Sequence, residues 1–174
     1  MLDLETMGLR PNAAIIAIGA ACFTETNIVS TFETPVSLKS CTDLGLSTDQ
    51  STIDWWSKQS SAARARWQTE DAPDLLTALW AFNDWVKSVG PASQCRIWGN
   101  GADFDLPIIT SAYRVVDADA PWKYYNQRCF RTVKSMFEVP NIPRQGVYHA
   151  AMDDAVYQAQ ILQSICKLHK IQLK

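Results

Sequence analysis

The sequence predicts an α/β domain of three layers, with a central mixed sheet flanked by helices. Two observations predict it: three strand-like segments come first, and helical segments then alternate with short strands. The chain has 174 residues, of which 47% are hydrophobic, with only 7 Gly and 8 Pro. These numbers fit a single compact domain over residues 1–174 that can bury a sizeable core.

The three predicted strands lie at the start of the chain. The first carries Asp3 and Glu5, the second lies in the near-continuous apolar run 13–23, and the third covers 28–36 after a polar break at 24–27. Short turns join them. This order is typical of strands that lie side by side in one sheet.

The rest of the chain predicts helices separated by short strands. Helices are predicted at 51–68, 72–89, 106–116, 132–137 and 150–168, and short strands at 95–98 and 128–130. The second of these helices has apolar residues at helical spacing and ends at Gly90-Pro91. Thr132 is expected to cap the short fourth helix.

Composition excludes several classes of protein. The five cysteines are odd in number and never spaced as C-x-x-C, which argues against a disulfide framework and a structural zinc site and favours a reducing, cytoplasmic setting. No run reaches the roughly 18 apolar residues that a membrane-spanning helix needs. The formal charge of -2 gives no overall attraction to polyanions, so nucleic-acid binding would depend on local basic clusters and bound metal.

Carboxylates with metal-site spacing lie near both ends of the chain. On a strand, residues i and i+2 point to the same face, so Asp3 and Glu5 would lie side by side while Leu2 and Leu4 face the core. Two adjacent carboxylates repel each other and favour a cation between them. An all-oxygen site suits Mg²⁺ or Mn²⁺ better than zinc.

Three motifs in order carry a family resemblance. They are Asp-x-Glu-Thr at Asp3, Phe-Asp at Phe104, and His-x-Ala-x-x-Asp-Ala at His149. Together they resemble the DEDDh 3′ to 5′ exonucleases, whose fold is RNase H-like. The segments 54–60, 98–105 and 128–132 resemble more narrowly the exodeoxyribonuclease VIII-like exonucleases of phages and prophages.

The resemblance implies a role for each motif residue and two Mg²⁺ or Mn²⁺ ions. Asp3, Glu5 and Asp154 would hold the ion that activates water, Asp3 would also bridge to the second ion, and Asp105 would support that ion through water. His149 would be the general base. A further set would contact substrate, with Met7 as an apolar wedge against the terminal base: Thr6, Met7, Gly8, Asn100 and Phe104.

Two assignments stay open at this stage. The chain has one residue more between Asn100 and Phe104 than the commonest form of the motif, so Asp103 and Asp105 compete for the second ion; we choose Asp105 because Phe-Asp is the part that recurs. Only two residues precede Asp3, which leaves open a natural start upstream.

Two neighbouring acids and two neighbouring tryptophans pose similar choices. Successive helical positions differ by about 100° in direction, so Asp153 and Asp154 cannot both face the metal, and the motif selects Asp154. Asp153 would then be a first-turn acid that favours the positive end of the helix dipole. Of Trp55 and Trp56, at most one would stack on substrate.

The sequence therefore predicts a metal-dependent 3′ to 5′ exonuclease that releases nucleoside 5′-monophosphates from nucleic acid with a free 3′ end, DNA being favoured. One alternative is an exoribonuclease or oligoribonuclease-like enzyme on the same fold. Another is a nucleic-acid-binding module without catalysis, but its expected signature is a missing carboxylate or His, and all five positions are filled. A homodimer is compatible with the sequence and is not established by it.

Overall fold

The fold is built on an antiparallel sheet of three strands at the start of the chain. In a computed structural model, which describes residues 1–173, the strands are β1 (Leu2–Thr6), β2 (Ile15–Phe23) and β3 (Ile28–Pro35), in the spatial order β1-β2-β3. All three were predicted from the sequence. The apolar run of β2 lies in the middle of the sheet, where both of its faces are covered.

A second, two-stranded sheet differs from the prediction of one mixed sheet. Strands β4 (Trp98–Gly99) and β5 (Arg128–Cys129) pair in parallel and form no ladder with β1 within the described residues. The Leu4 N–H on β1 is instead bonded to the Asp105 side chain, 3.1 Å away.

Seven α-helices connect and cover these strands within residues 1–173. They are α1 (Leu38–Asp43), α2 (Gln50–Ser57), α3 (Ser61–Ala65), α4 (Leu75–Val89), α5 (Asp105–Val115), α6 (Phe130–Met136) and α7 (Ala151–His169). Short 3₁₀ turns lie at Ala92–Gln94 and Tyr124–Asn126.

Two helix boundaries depart from the sequence expectation. The segment predicted as one helix over 51–68 divides into α2 and α3, because the Ser60 side chain accepts the Ala63 N–H and starts a new helix. Helix α6 begins at Phe130 rather than at a Thr132 cap. The main chain passes directly from β5 into that helix, so Thr132 lies inside its first turn.

The three predicted layers are present, with an apolar core on each face of the large sheet. On one face, Leu2, Leu4 and Ile18 pack with residues of α4 and α5. On the other, Ala21 packs with the apolar side of α7 and with Phe130 of α6. No helix within residues 1–173 is both long and apolar enough to cross a bilayer.

Candidate active site

The first half of the site is the pair of carboxylates on β1. Leu2 and Leu4 are 0% and 3% exposed in the core, so Asp3 and Glu5 lie on the opposite face of the strand, as predicted. They pair across the sheet with Gly19 and Ala17 of β2. The face that carries the acids is therefore the face on which α7 packs.

Gly19 allows α7 to approach this face closely. A Cβ at this position would lie 2.0 Å from the Ala151 carbonyl carbon and 2.2 Å from the Met152 nitrogen, distances that no side chain can occupy. The first turn of α7 therefore packs directly on β2 at Gly19, next to Asp3, which pairs with Gly19 across the sheet. The amide of Gln158, on the next turn, donates to Asp3 Oδ1 at 2.6 Å.

The second half of the site is the loop that leads into α7. Its main chain is held by the two acids of the first helical turn: Val147 N–H donates to Asp153 Oδ2 at 2.8 Å, and His149 N–H donates to Asp154 Oδ2 at 3.0 Å. His149 has a left-handed backbone with φ 61°, which costs about 1 to 2 kcal/mol for a residue with a Cβ. These bonds offset that cost and keep the residue in place.

The two halves meet in a group of three potential ligands. One ligand atom each from Glu5, His149 and Asp154 lies within 4.8 Å of the others. Asp3 and Asp105 fall outside this group, yet their carboxylates are near enough that Asp105, Glu5 and Asp154 all raise the pKa of Asp3. All five predicted catalytic residues are thus at one end of the sheet.

Asp105 is held differently from the other acids. It is 2% exposed, and its two oxygens accept main-chain N–H groups, Leu4 at 3.1 Å and Asn100 at 2.8 Å. Its rival Asp103 lies in the preceding loop and is exposed. Phe104 is half-buried against the core, and its backbone begins α5, which turns Asp105 towards β1.

The crowding of acids changes their titration. Burial, followed by the charges of Asp154 and Asp105, raises the pKa of Glu5 to about 8. Burial is also the main cause that raises the pKa of Asp3 well above its ordinary value and that of Asp105 to about 6. Carboxyl groups that hold protons so firmly are sites where a cation would lower the free energy.

The donor set fits a hard divalent ion. In the group of three, Glu5 and Asp154 supply carboxylate oxygens, His149 supplies one imidazole nitrogen, and no cysteine belongs to it among the described residues. Asp3 adds a further carboxylate next to the group. Oxygen-rich sets of this kind suit Mg²⁺ and Mn²⁺. Such an ion would offset both the burial and the neighbouring negative charges that raise the pKa of Glu5.

The loop after β1 is fixed against α2. Trp56 is 2% exposed and donates from its indole nitrogen to the Thr6 carbonyl at 2.9 Å, while Asp49 accepts the Leu9 N–H at 3.1 Å. Thr6, Met7 and Gly8 are buried, and Met7 packs in the main core with 3% exposure. Leu9, 68% exposed, is the apolar side chain that this loop presents to solvent.

The two tryptophans have separated roles. Trp55 is 40% exposed and meets the His149 ring edge-on, with centroids 4.8 Å apart. Trp56 is structural, as its burial and its bond to Thr6 show. Of the two, Trp55 is the one with surface free for a substrate contact, and the stacking itself stays a prediction.

Several residues around the site were missed by sequence reasoning. Arg144 pairs with Asp154, and its guanidinium lies 4.0 Å from the centre of the Tyr148 ring. Gln158 could have been found, because it lies four residues after Asp154 and so on the same helical face. The sequence shows Arg144 only as one of six basic residues between 114 and 144, and its pairing with Asp154 gave no signal because the loop between them has no periodic pattern.

The sheet with flanking helices, and the acids gathered where β1 meets α7, are compatible with a nuclease of RNase H-like fold. The match to a family model supports this over residues 1–166, and its description is 3′-5′ exoribonuclease Rv2179c-like domain. The chain belongs to this family. It is thereby a 3′ to 5′ exonuclease, a hydrolase that acts on nucleic acid.

Two further proteins are similar to the chain. An exodeoxyribonuclease of Enterobacteria phage T4 is 31% identical over 157 residues, covering 76% of this chain and 68% of the phage protein. The crystal structure of cell-death related nuclease 4 (CRN-4) superposes with a TM-score of 0.66 at 14% identity, covering 96% of this chain. The chain spans 62% of the length of CRN-4, and at this identity the likeness concerns the fold.

Proposed function

We propose that the chain is a DEDDh-type exonuclease that removes nucleoside 5′-monophosphates one at a time from a free 3′ end, with DNA preferred and with two Mg²⁺ or Mn²⁺ ions. The observation that carries the proposal is the group formed by Glu5, His149 and Asp154 within 4.8 Å, beside Asp3 and Asp105. The four acids and the histidine are the set that the sequence resemblance assigns to this chemistry.

The ions would supply charge stabilisation for the phosphate and a more acidic water. Asp3, Glu5 and Asp154 would hold one ion, with Asp3 shared by the second and Asp105 acting on it through water. The His149 ring would take the proton from the attacking water, since an imidazole is the side chain best suited to accept a proton around neutral pH. The main-chain N–H of His149 donates to Asp154 Oδ2 at 3.0 Å, which keeps the residue beside the acids.

The side chains that would contact the terminal nucleotide follow from exposure. The resemblance assigns five residues to substrate: Thr6, Met7, Gly8, Asn100 and Phe104. Thr6, Met7 and Gly8 are buried, and Met7 is only 3% exposed, so it has almost no surface free to act as a wedge. We therefore propose that these three residues act through the shape of their loop. Trp55 is an exposed aromatic side chain against His149, and Leu9 is an exposed apolar side chain on the loop after β1; both suit contacts with an unpaired base. Asn100 and Phe104 are half-buried on the far side, next to Asp105.

The preference for DNA rests on the phage T4 relative, which is named an exodeoxyribonuclease. The second candidate, an exoribonuclease, is favoured by the description of the family model. Discrimination would depend on contacts to the 2′-OH. A reducing, cytoplasmic setting is kept as a proposal, supported by the five free cysteines.

One experiment tests the function and its direction. Oligonucleotides of DNA and RNA, single and double stranded and labelled at the 5′ end, are incubated with Mg²⁺, Mn²⁺ or EDTA. We expect a ladder that shortens from the 3′ end with metal, no products in EDTA, and inhibition by a 3′-phosphate. Cleavage of circular single strands would reveal an endonuclease, and full activity in chelated buffer would rule the mechanism out.

A further inference from the structure

Two carboxylates of α7 hold the loop that carries His149 by accepting its main-chain N–H groups, and only one of the two also belongs to the ligand group. Asp154 accepts the His149 N–H and is also one of the three clustered ligand groups. Asp153 accepts the Val147 N–H at 2.8 Å and takes no part in that cluster. The neighbouring acid is therefore free to hold the loop whatever the cluster binds.

Asp153 is itself oriented from a distant part of the chain. Arg66 Nη2 lies 3.5 Å from Asp153 Oδ2, and Arg66 Nη1 lies 3.0 Å from Glu33 Oε2 on β3. The Asp153 and Glu33 side chains are 16% and 17% exposed, whereas that of Arg66 is 39% exposed. A pair so open to solvent adds little stability, but it fixes the direction in which the carboxylate points.

The turn of the loop is shaped to fit this side chain. Gly146 has φ +84°, and a Cβ there would lie 2.6 Å from Asp153 Cγ. The main chain therefore passes directly over the carboxylate before it reaches His149. A glycine at that point both allows the left-handed backbone and leaves room for the acid.

We propose that Asp153 is a positioning residue for His149. Asp153 fixes the loop by accepting the Val147 N–H, and Arg66 orients the Asp153 carboxylate. This inference rests on the proposed function, in which His149 takes a proton from water. Small errors in the position of a catalytic group are costly, about 10²-fold for 1 Å, so loss of this support should reduce turnover. Substrate binding, which depends on other side chains, should change much less.

The test compares Asp153→Ala with Asp153→Asn. Asparagine keeps an oxygen that accepts the Val147 N–H, whereas alanine removes it. We expect kcat to fall about tenfold in D153A with KM changed less than about twofold, and most of kcat to be kept in D153N. Asp74→Ala is the matched control, because Asp74 caps the start of α4, accepts a main-chain N–H from Thr77 and belongs to no part of the ligand group. It should lower Tm and leave kcat unchanged.

The dependence on His149 is tested in a second background. If Asp153 acts through His149, D153A should cause no further loss of kcat in H149A. A full additional loss in H149A, an equal loss in D153N and D153A, or an unchanged kcat in D153A would each overturn the proposal.

Hydrogen exchange separates this proposal from the proposed function. In D153A the amides of Val147 and His149 should exchange faster, while that of Ile18 in the central strand should be unchanged. Unchanged exchange at Val147 would overturn the positioning role even in an active enzyme. A wild-type chain without nuclease activity would refute the function, and the exchange rates would still decide whether Asp153 holds the loop.

Discussion

The two halves of the site are built in opposite ways. Asp3 and Glu5 lie on a strand whose backbone is fixed by its neighbour β2 and whose other face is buried in the core. His149 lies on a loop with no regular structure, in a left-handed backbone held by side-chain carboxylates. Positions on a strand come with the fold, whereas positions on this loop depend on a few individual bonds.

The largest expected effect is common to both halves and comes from removing a ligand. Asp3→Ala on the strand and Asp154→Asn on the helix should each reduce kcat about 10³-fold or more, because the charge stabilisation supplied by a bound ion is worth several kcal/mol. Single-turnover rates at saturating Mg²⁺ measure the loss. A D154N enzyme as active as D153N would show that the motif was assigned in the wrong register.

A smaller loss is expected for the base on the loop. His149→Ala should reduce kcat by about 10²-fold, the lower end of the usual contribution of a positioned general base, while Mg²⁺ dependence is kept. The rates of H149A and of D3A, measured in parallel, compare the two halves directly. If H149A kept wild-type kcat, the loop would have no role in proton transfer.

The strand half should control the pH dependence of stability. Folded Glu5, with a pKa raised by burial to about 8, holds a proton that the unfolded chain releases above its ordinary value of 4.5. Stability in EDTA should therefore fall as pH rises from about 4.5 to about 8, with Asp105 adding to the fall up to about pH 6.

The measurement is Tm against pH in EDTA and in excess Mg²⁺. Each kcal/mol corresponds to roughly 2 to 4 °C for a chain of this size. Mg²⁺ should raise Tm most at the alkaline end, and Glu5→Gln should flatten the slope in EDTA. A Tm in EDTA that rises steadily with pH between 5 and 8 would contradict the described crowding of acids.

The smallest effect on catalysis is expected at Trp56. Trp56→Phe removes the bond to the Thr6 carbonyl, which costs about 1 to 3 kcal/mol when the buried carbonyl is left without a partner. Because β2 still holds the strand, kcat should stay within about threefold of wild type while Tm falls. A loss of kcat as large as that of H149A would show that the strand half is no more robust than the loop.

The sequence predicted the strand half better than the loop half for a physical reason. Alternation of Leu2, Asp3, Leu4 and Glu5 is a local pattern, and it gave both the strand and the face of its acids correctly. The partners of Asp153 are 6 and 87 positions away, and no periodicity connects them. Long-range contacts of irregular segments become visible only when the chain is folded.

The same reason explains the errors in the fold. The break between α2 and α3 depends on a single serine that can equally lie inside a helix. The separate second sheet depends on an Asp105 side chain that takes the N–H of Leu4 from a possible neighbouring strand. Each is a competition between a side chain and the main chain that residue preferences do not settle.

Gly19 determines how closely α7 can approach the sheet. The spacing between the acids of β1 and those of α7 depends on the absence of a side chain at Gly19, which is covered by the first turn of α7. Any larger residue at this position would push α7 away from the sheet. The acids of α7 and the loop that carries His149 would move with the helix, away from the acids of β1. The distance between the two sets of acids is therefore controlled by a residue of the central strand that belongs to neither set.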